Sequence, residues 1–252
     1  MKQPDWYKYG WSLDIKNQSW TEGTENQVNF IIKALALTGG EKILDLACGY
    51  GRHSLALARR GFSVTGVDIT KEYIDDAVHS TQNESLNAVF LHSDIRDIDF
   101  SNEFDAVLNL ADGAIGYLES DEENLKIFDV AVKALKPNGK HFIDICNADH
   151  AKRYFPKKNW EAGKNALALA QFDWDSETRR MRYAGWDIPY GKPAEPPWIN
   201  MDDADPTRLY SLSELEEIYF RRSMKIIASY SNYYGKEATD QEIQLIVCAQ
   251  KQ

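Results

Sequence analysis

The stretch at 44–54 reads LDLACGYGRHS, and its apolar run ends at two closely spaced glycines, Gly49 and Gly51. A turn of this kind lets a ligand come close to the backbone, because glycine has no Cβ. The dinucleotide fingerprint GxGxxG requires a third glycine where Ser54 stands, and Asp45 before the turn would repel a pyrophosphate. The turn therefore predicts a ligand that has no phosphate and carries a positive charge.

Two further carboxylates follow the next two strand-like runs, in GVDI and HSDI. Asp68, at the tip of the strand beside the glycine turn, can accept hydrogen bonds from both hydroxyls of a ribose. Asp94 can accept from the amino group of an adenine against which Ile95 packs, although the nearby Asp97 and Asp99 also fit a solvated acidic loop. S-adenosylmethionine combines an adenine, a ribose, an ammonium group and a sulfonium, and it is the ligand that this set predicts.

The elements that position these residues alternate between strand and helix patterns from about residue 26 to residue 146. Apolar spacing predicts strands at 42–46, 63–67, 88–91, 104–110 and 141–146, and helices at 27–37, 54–60, 71–82 and 122–135. We expect Pro137-Asn138-Gly139 to stop the last of these helices. This order predicts an α/β fold with a mostly parallel sheet that is covered by helices on both faces.

The pattern changes after residue 146. Two extended runs at 166–174 and 180–186 flank the turn-prone Asp175-Ser176-Glu177-Thr178 and predict an antiparallel hairpin. Five prolines predict an irregular loop over 187–208. A capping box at Ser211 and Glu214 opens a helix to about residue 222, and strands are expected at 225–234 and 242–249. We interpret 1–252 as a single domain in which 150–210 is an insertion.

Five segments resemble ordered motifs of class I S-adenosylmethionine-dependent methyltransferases: DLACGYG, GVDIT, HSDIRD, FDAVLNL and ALKPNGKHFID. The resemblance covers roughly 26–146, and GRHSLALARRGFSVTGVD is most similar to the subgroup acting on small molecules. It implies a doubly wound, Rossmann-like sheet of seven strands with an antiparallel last strand. After the fourth strand this chain has Asn109-Leu110-Ala111-Asp112, which departs from the Asn/Asp-Pro-Pro-Tyr/Phe of many enzymes that methylate amino groups of DNA or protein.

The resemblance also implies roles for individual residues. Asp45, Ala47, Gly49 and Gly51 would line the methionine part, Asp68 and Ile69 the ribose and adenine, Asp94 and Ile95 the adenine, and Asn109 the methionine end. The remaining predicted cofactor-binding residues are Trp11, Cys48, His53 and Leu110. His53 either hydrogen-bonds the methionine carboxylate or packs in place, and Cys48 is interpreted as a small buried residue, since nothing beside it would lower its thiol pKa.

Two aromatic segments are candidates for a cover over the site. The N-terminal segment 1–25 carries Trp6, Tyr7, Tyr9, Trp11 and Trp20, which form either a lid over the cofactor or an ordinary core staple. The insertion carries Trp174, Tyr183, Trp186, Tyr190 and Trp198, which either shape an acceptor pocket or fill a small core of their own. Asp112 is the candidate base or substrate anchor, with His141 and His150 as alternatives.

Composition limits the partners. The net charge is −10, from 29 Lys and Arg against 39 Asp and Glu, which disfavours an RNA acceptor because phosphate binding needs clustered cations. The three cysteines lie far apart without a metal-ligand spacing, which favours reduced thiols in the cytoplasm and predicts no metal site. No segment has the length of a membrane span or the apolar centre of a signal peptide. A monomer and a homodimer both remain open.

We therefore expect an enzyme that transfers a methyl group from S-adenosylmethionine to an N, O or C nucleophile of a small molecule. Two rival functions remain at this stage: a nicotinamide-dependent oxidoreductase on a similar sheet, and a non-catalytic protein that binds the cofactor.

Overall fold

The apolar runs of the sequence form the strands of a seven-stranded sheet, in a computed structural model that describes residues 5–18, 21–194 and 200–252. Its strands are β1 (Lys42–Leu46), β2 (Ser63–Asp68), β3 (Ala88–His92), β4 (Phe104–Asn109), β5 (Leu135–Cys146), β10 (Met224–Tyr230) and β11 (Gln244–Lys251). The remaining strands, β6 (Lys157–Ala162), β7 (Ala166–Asp175), β8 (Arg180–Pro189) and β9 (Pro206–Arg208), form a second sheet. Trp20, Pro196, Pro197 and Trp198 lie outside the described residues.

The main sheet has the order β10-β11-β5-β4-β1-β2-β3. Strands β1 to β5 pair with one another in parallel, whereas β11 lies antiparallel between β5 and β10. The predicted seven-stranded sheet with an antiparallel last strand is confirmed. The order reverses direction at β1 and β4, and the carboxyl ends of parallel strands beside such a reversal form a crevice in which ligands bind.

Helices cover both faces of this sheet. They are α1 (Thr24–Ala34), α2 (Arg52–Ala58), α3 (Lys71–Glu84), α4 (Asp121–Ala134), α5 (Ala148–Tyr154) and α6 (Leu212–Phe220). Alternate residues of β1 enter different cores, because successive side chains of a strand point to opposite faces. Leu44 and Leu46 join one apolar cluster with α4, and Ile43 joins another with α1 and α2. No described helix has the length and apolar character needed to cross a bilayer.

Helix α4 ends at Ala134, one residue before the predicted end and ahead of Pro137-Asn138-Gly139. Strand β5 begins earlier than predicted, at Leu135, so these three residues lie within the strand. Its pairing with β4 shifts between Phe104 and Ala106, and Asn138 has a φ of 63°. Between these two pairs β5 contains three more residues than β4, and such extra residues in one strand form a bulge in which a turn-forming tripeptide bends the strand.

The predicted hairpin is confirmed as β7 and β8, whereas the prediction that 187–208 is wholly irregular is wrong. Strand β8 continues to Pro189, and β9 adds a further strand in the order β6-β7-β8-β9. Strand β6 and helix α5 were not predicted. The sequence of β6, KKNWEA, shows no apolar alternation, and all six of its residues are exposed.

The predicted capping box is confirmed at the start of α6, where Ser211 accepts from the Glu214 N–H and the Glu214 side chain accepts from the Ser211 N–H.

A chain of buried, hydrogen-bonded polar side chains lies between the sheet and this helix. Asn109 Nδ2 donates to Gly113 O at 2.7 Å, so its Oδ1 faces His141 Nε2 at 2.9 Å. The other ring nitrogen of His141 lies 3.0 Å from the Tyr219 hydroxyl. Burial lowers the pKa of His141 to about 3, and the neutral ring joins both partners.

Replacing Tyr219 with Phe should lower the free energy of unfolding by about 1–3 kcal/mol, because it leaves a ring nitrogen of His141 unpaired in the core. Urea unfolding followed by circular dichroism measures the change. Tyr234→Phe is the matched control, since Tyr234 is 84% exposed. If the two variants unfold at the same urea concentration, the buried bond does not contribute.

Candidate active site

The turn between β1 and α2 leaves space beside its backbone that a ligand could occupy. Ala47, Gly49 and Gly51 have positive φ values of 55°, 58° and 76°. A Cβ at Gly51 would lie 2.8 Å from the Phe90 ring, so this glycine is required by packing. A Cβ at Gly49 would meet only Tyr73, at 4.0 Å. The space beside Gly49 is therefore not filled by the described residues, as a turn that admits a ligand requires.

Asp68 ties this turn to the end of β2. Its Oδ2 accepts from the Gly49 N–H and its Oδ1 from the Thr70 N–H, each at 2.8 Å. Burial raises the pKa of Asp68, and these two bonds only partly offset the rise. Each carboxylate oxygen has a second lone pair, so the side chain can still accept one hydrogen bond at each oxygen. That capacity suits a pair of neighbouring hydroxyls.

Asp45 lies beneath the turn, only 2% exposed. Burial raises its pKa to about 7, although Ser54 Oγ donates to its Oδ2 at 2.5 Å and Arg52 lies nearby. Ser54 occupies the position of the third glycine of a dinucleotide fingerprint. Its hydroxyl is the partner of Asp45, a contact that glycine could not make.

Asp94 belongs to a network that holds the N-terminal segment. Arg96 donates to its two oxygens, from Nε at 3.0 Å and from a guanidinium nitrogen at 2.6 Å. Burial would raise the pKa of Asp94, but the bonds from Arg96 outweigh burial and lower it. Arg96 also contacts the Tyr7 hydroxyl at 3.1 Å, and this hydroxyl donates to Glu119 at 2.7 Å. A ligand that donates a hydrogen bond to the Asp94 carboxylate would share this acceptor with Arg96. The adjacent Ile95 is buried.

The loop after β4 has an unusual backbone. Ala111, Asp112, Gly113 and Ala114 all have positive φ, between 51° and 67°. Non-glycine residues in this region are strained, and such residues cluster at functional sites. The Asp112 N–H donates to Asp144 O at 2.8 Å, which fixes the loop to β5. Leu110, which precedes the loop, is buried.

The Asp112 carboxylate joins two flanks of the site. Its Oδ1 accepts from the Cys146 N–H at 3.0 Å, and its Oδ2 accepts from the Tyr117 hydroxyl at 3.1 Å. Burial and the nearby Asp144 carboxylate raise the pKa of Asp112 to about 6. Such a pKa lies close to neutral pH, where a carboxylate can take up and release a proton.

The N-terminal aromatic residues reach Asp112 through Tyr117. The Trp6 and Trp11 rings lie 5.2 Å and 6.2 Å from the Tyr117 ring between centroids, the second in a stacked arrangement. Tyr7 is buried in the core of the main domain. The segment therefore contains both a core staple, at Tyr7, and aromatic faces at the edge of the site.

The insertion is linked to Asp112 through a small apolar cluster. Phe172, Trp174 and Cys146 each pack against this cluster, which contains Ala148 and Met181. The backbone N–H of Cys146 donates to Asp112, so the cluster adjoins a residue that contacts this carboxylate.

His53 and Cys48 are buried in the turn region. His53 Nε2 lies 2.8 Å from Gln27 Oε1, and burial holds the His53 pKa well below its usual value. Of the two expectations for His53, the structure shows packing against α1. Burial raises the pKa of the Cys48 thiol well above its usual value, which agrees with a structural cysteine.

One buried group was missed by the sequence analysis. Asp144 accepts from the Tyr233 hydroxyl at 2.7 Å and from Gln244 Nε2 at 2.9 Å, and its pKa is raised by burial. The available signal was a single carboxylate inside the apolar run HFIDIC. Its partners come from the last strand and the loop before it, which no local pattern connects to β5. Within the described ranges, no group of three or more His, Cys, Asp or Glu could hold a metal ion.

The comparisons with known proteins agree with this geometry. Residues 43–139 match the family model described as a methyltransferase domain. The chain is 27% identical over 216 residues to "Putative methyltransferase YqeM" of Bacillus subtilis, covering 83% of this chain and 84% of that protein. It is 30% identical to a glycine/sarcosine N-methyltransferase of Aphanothece halophytica over 52% of this chain, and it spans about half of that protein.

A solved S-adenosylmethionine-dependent methyltransferase from Clostridium acetobutylicum has the same fold. The TM-score is 0.69 at 16% identity, with 90% of this chain and 91% of that chain covered. The fold and the family match over 43–139 are those of a class I S-adenosylmethionine-dependent methyltransferase, and they do not support the nicotinamide-dependent alternative.

The raised pKa of Asp45 predicts a pH-dependent stability. The folded state holds the Asp45 proton up to about pH 7, whereas the unfolded chain releases it near its ordinary pKa of 3.8. The contribution of Asp45 to stability is therefore complete below about pH 4 and is lost as the pH rises through about 7. Asp45→Asn should raise the free energy of unfolding at pH 8 by up to about 4 kcal/mol and have little effect below pH 4.

Urea unfolding of the ligand-free protein across this pH range measures the effect. Asp75→Asn is the matched control, because the Asp75 side chain is 63% exposed. An Asp45→Asn variant with the same pH dependence as the parent would contradict the buried, proton-binding Asp45.

Proposed function

We propose that this enzyme methylates an N, O or C nucleophile of a small molecule in the crevice between the glycine turn and Asp112. One observation supports the proposal above the others. Three features lie together at the carboxyl ends of neighbouring parallel strands. They are an open glycine turn, two buried carboxylates that can accept further hydrogen bonds, and Asp112, whose pKa is about 6.

The residues fit the parts of S-adenosylmethionine in sequence order. Asp45 and the backbone of Ala47, Gly49 and Gly51 would hold the methionine part, since a buried carboxylate favours an ammonium group. Asp68 would accept from the ribose hydroxyls. The remaining proposed contacts are Trp11, Cys48, His53, Ile69, Asp94, Ile95, Asn109 and Leu110, of which His53 acts by packing and Asp94 is shared with Arg96.

The cofactor supplies a methyl group that is already activated on a sulfonium. The chain therefore contributes mainly positioning and exclusion of water. Asp112 would anchor the acceptor or take the proton of its nucleophile, and its pKa of about 6 suits that role near neutral pH. Tyr117 and the Cys146 N–H orient the carboxylate.

A small acceptor is favoured by the surroundings of Asp112. Trp6 and Trp11 pack against Tyr117, which donates to Asp112, and Phe172 and Trp174 of the insertion pack against the same small cluster as Cys146, its other donor. We propose that both segments cover the site. The Aphanothece halophytica relative is a glycine/sarcosine N-methyltransferase, which supports a small acceptor. The net charge of −10 disfavours RNA. The cytoplasmic location expected from the sequence stays a prediction.

Asp68→Ala should weaken S-adenosylmethionine binding at least tenfold, because each ribose hydroxyl left without an acceptor costs about 1–3 kcal/mol. Isothermal titration calorimetry measures the dissociation constant, and circular dichroism confirms the fold. Asp75→Ala, on the exposed face of α3, is the matched control. An unchanged dissociation constant for Asp68→Ala would place the ribose elsewhere.

The acceptor class can be tested before the acceptor is known. Enzyme and methyl-labelled S-adenosylmethionine are added to a bacterial extract that has been separated into small-molecule, protein and RNA fractions. Label should enter the small-molecule fraction, and Asp112→Asn should reduce this transfer by about 10²-fold or more while cofactor affinity stays near that of the parent. Label in the RNA or protein fraction would contradict a small-molecule acceptor. Full activity of Asp112→Asn would show that Asp112 neither anchors the acceptor nor takes its proton.

A further inference from the structure

Strand β6 is an open edge of the second sheet. Among the described strands it pairs with β7 alone, and all six of its residues are exposed. An edge strand presents unpaired backbone N–H and C=O groups that can pair with another chain. Trp160, in the middle of β6, is 67% exposed, which is a large apolar surface to leave in water.

The pairing register assigns the side chains of β6 to two faces. Trp160 lies opposite Leu169, which in turn lies opposite Trp186, so these three share one face. Lys158 shares that face because it is two residues from Trp160. The other face carries the odd-numbered residues Lys157, Asn159 and Glu161.

We propose that β6 is the contact between two copies of this chain, which join antiparallel about a two-fold axis through Asn159 into one eight-stranded sheet. A two-fold axis perpendicular to the sheet keeps each side chain on its own face. Residues directly opposite each other must then be separated by an even number along the sequence, so the axis passes through a residue and not between two residues.

The axis through Asn159 produces complementary pairs. It places Lys157 opposite Glu161 of the second copy, and symmetry repeats this ion pair. It also places Lys158 opposite Trp160 of the second copy, where the ammonium group can lie over the indole ring and the aliphatic stem can cover it. Opposite charges and cation–aromatic contacts at directly opposed positions stabilise antiparallel strands.

The neighbouring register lacks this complementarity. An axis through Trp160 would place Trp160 opposite itself, Lys158 opposite Ala162 and Asn159 opposite Glu161, with no pair of opposite charges. The short sequence KKNWEA is therefore self-complementary in one register, which favours a second copy of this chain over an unrelated partner. Five paired residues on each side form a small interface, so we expect a dimer that dissociates on dilution.

Sedimentation velocity over a wide range of protein concentration tests the dimer. Glu161→Lys turns two attractive pairs into two repulsive pairs and should weaken dimerisation about tenfold. Adding Lys157→Glu to the same chain restores opposite charges and should recover dimerisation. Glu216→Lys, at an exposed position of α6, makes the same change in net charge and should leave dimerisation unaltered.

Crosslinking tests the register. Asn159→Cys places the new thiols of the two copies opposite each other, so a short bismaleimide should link them more efficiently than it links Trp160→Cys. The parent protein is the control for the three native thiols, of which Cys48 and Cys248 are buried and Cys146 is partly buried. The proposal is overturned if the protein stays monomeric at every concentration, or if the β6 substitutions leave the dimer dissociation constant unchanged. More efficient crosslinking at residue 160 overturns the axis at Asn159.

Discussion

The hydrogen bond from the Gly49 N–H to the Asp68 carboxylate is the constraint on which the rest of the site depends. It joins the turn after β1 to the end of β2, at 2.8 Å. The bond requires the left-handed backbone of the turn, and Gly51 must also be glycine because Phe90 fills the space of its Cβ. A single contact thus couples the conformation of the turn, the position of the carboxylate and the packing of β3 beneath them. The open space beside Gly49 exists because these three features are fixed together.

The sequence predicted the features that depend on a few neighbouring residues and missed those that depend on residues far apart in the chain. The strands, the glycine turn and the carboxylates at the ends of β1 and β2 were predicted because each rests on a local pattern of a few residues. Asp144 was missed because Tyr233 and Gln244, which hold it, come from a distant part of the chain. Strand β6 was missed because its residues are all exposed, so the alternation that marks a half-buried strand never arises. The early start of β5 at Leu135 was missed because the turn signal of Pro137-Asn138-Gly139 does not distinguish a loop from a bulge within a strand.

The carboxylates of the site differ in how they are solvated, and this separates their roles. Arg96 lowers the pKa of Asp94, whereas burial raises the pKa values of Asp45, Asp68 and Asp112. A buried carboxylate without a cationic partner reduces stability, because its charged form is poorly solvated. A fold retains such a cost where function requires it. Asp45, Asp68 and Asp112 carry this cost, and they are the carboxylates that we propose bind the cofactor and the acceptor, whereas Asp94 pairs with Arg96 in the network that contacts Tyr7.

The position of Asp112 links it to two segments that are far apart in the sequence. One of its oxygens accepts from Tyr117, against which the N-terminal tryptophans pack, and the other accepts from Cys146, which packs against the same small cluster as Phe172 and Trp174 of the insertion. A displacement of either segment would therefore change the hydrogen bonding, and with it the pKa, of the same carboxylate. The sequence posed the two segments as alternative covers. Because each segment is linked to one donor of the same carboxylate, the cover that we propose comprises both segments.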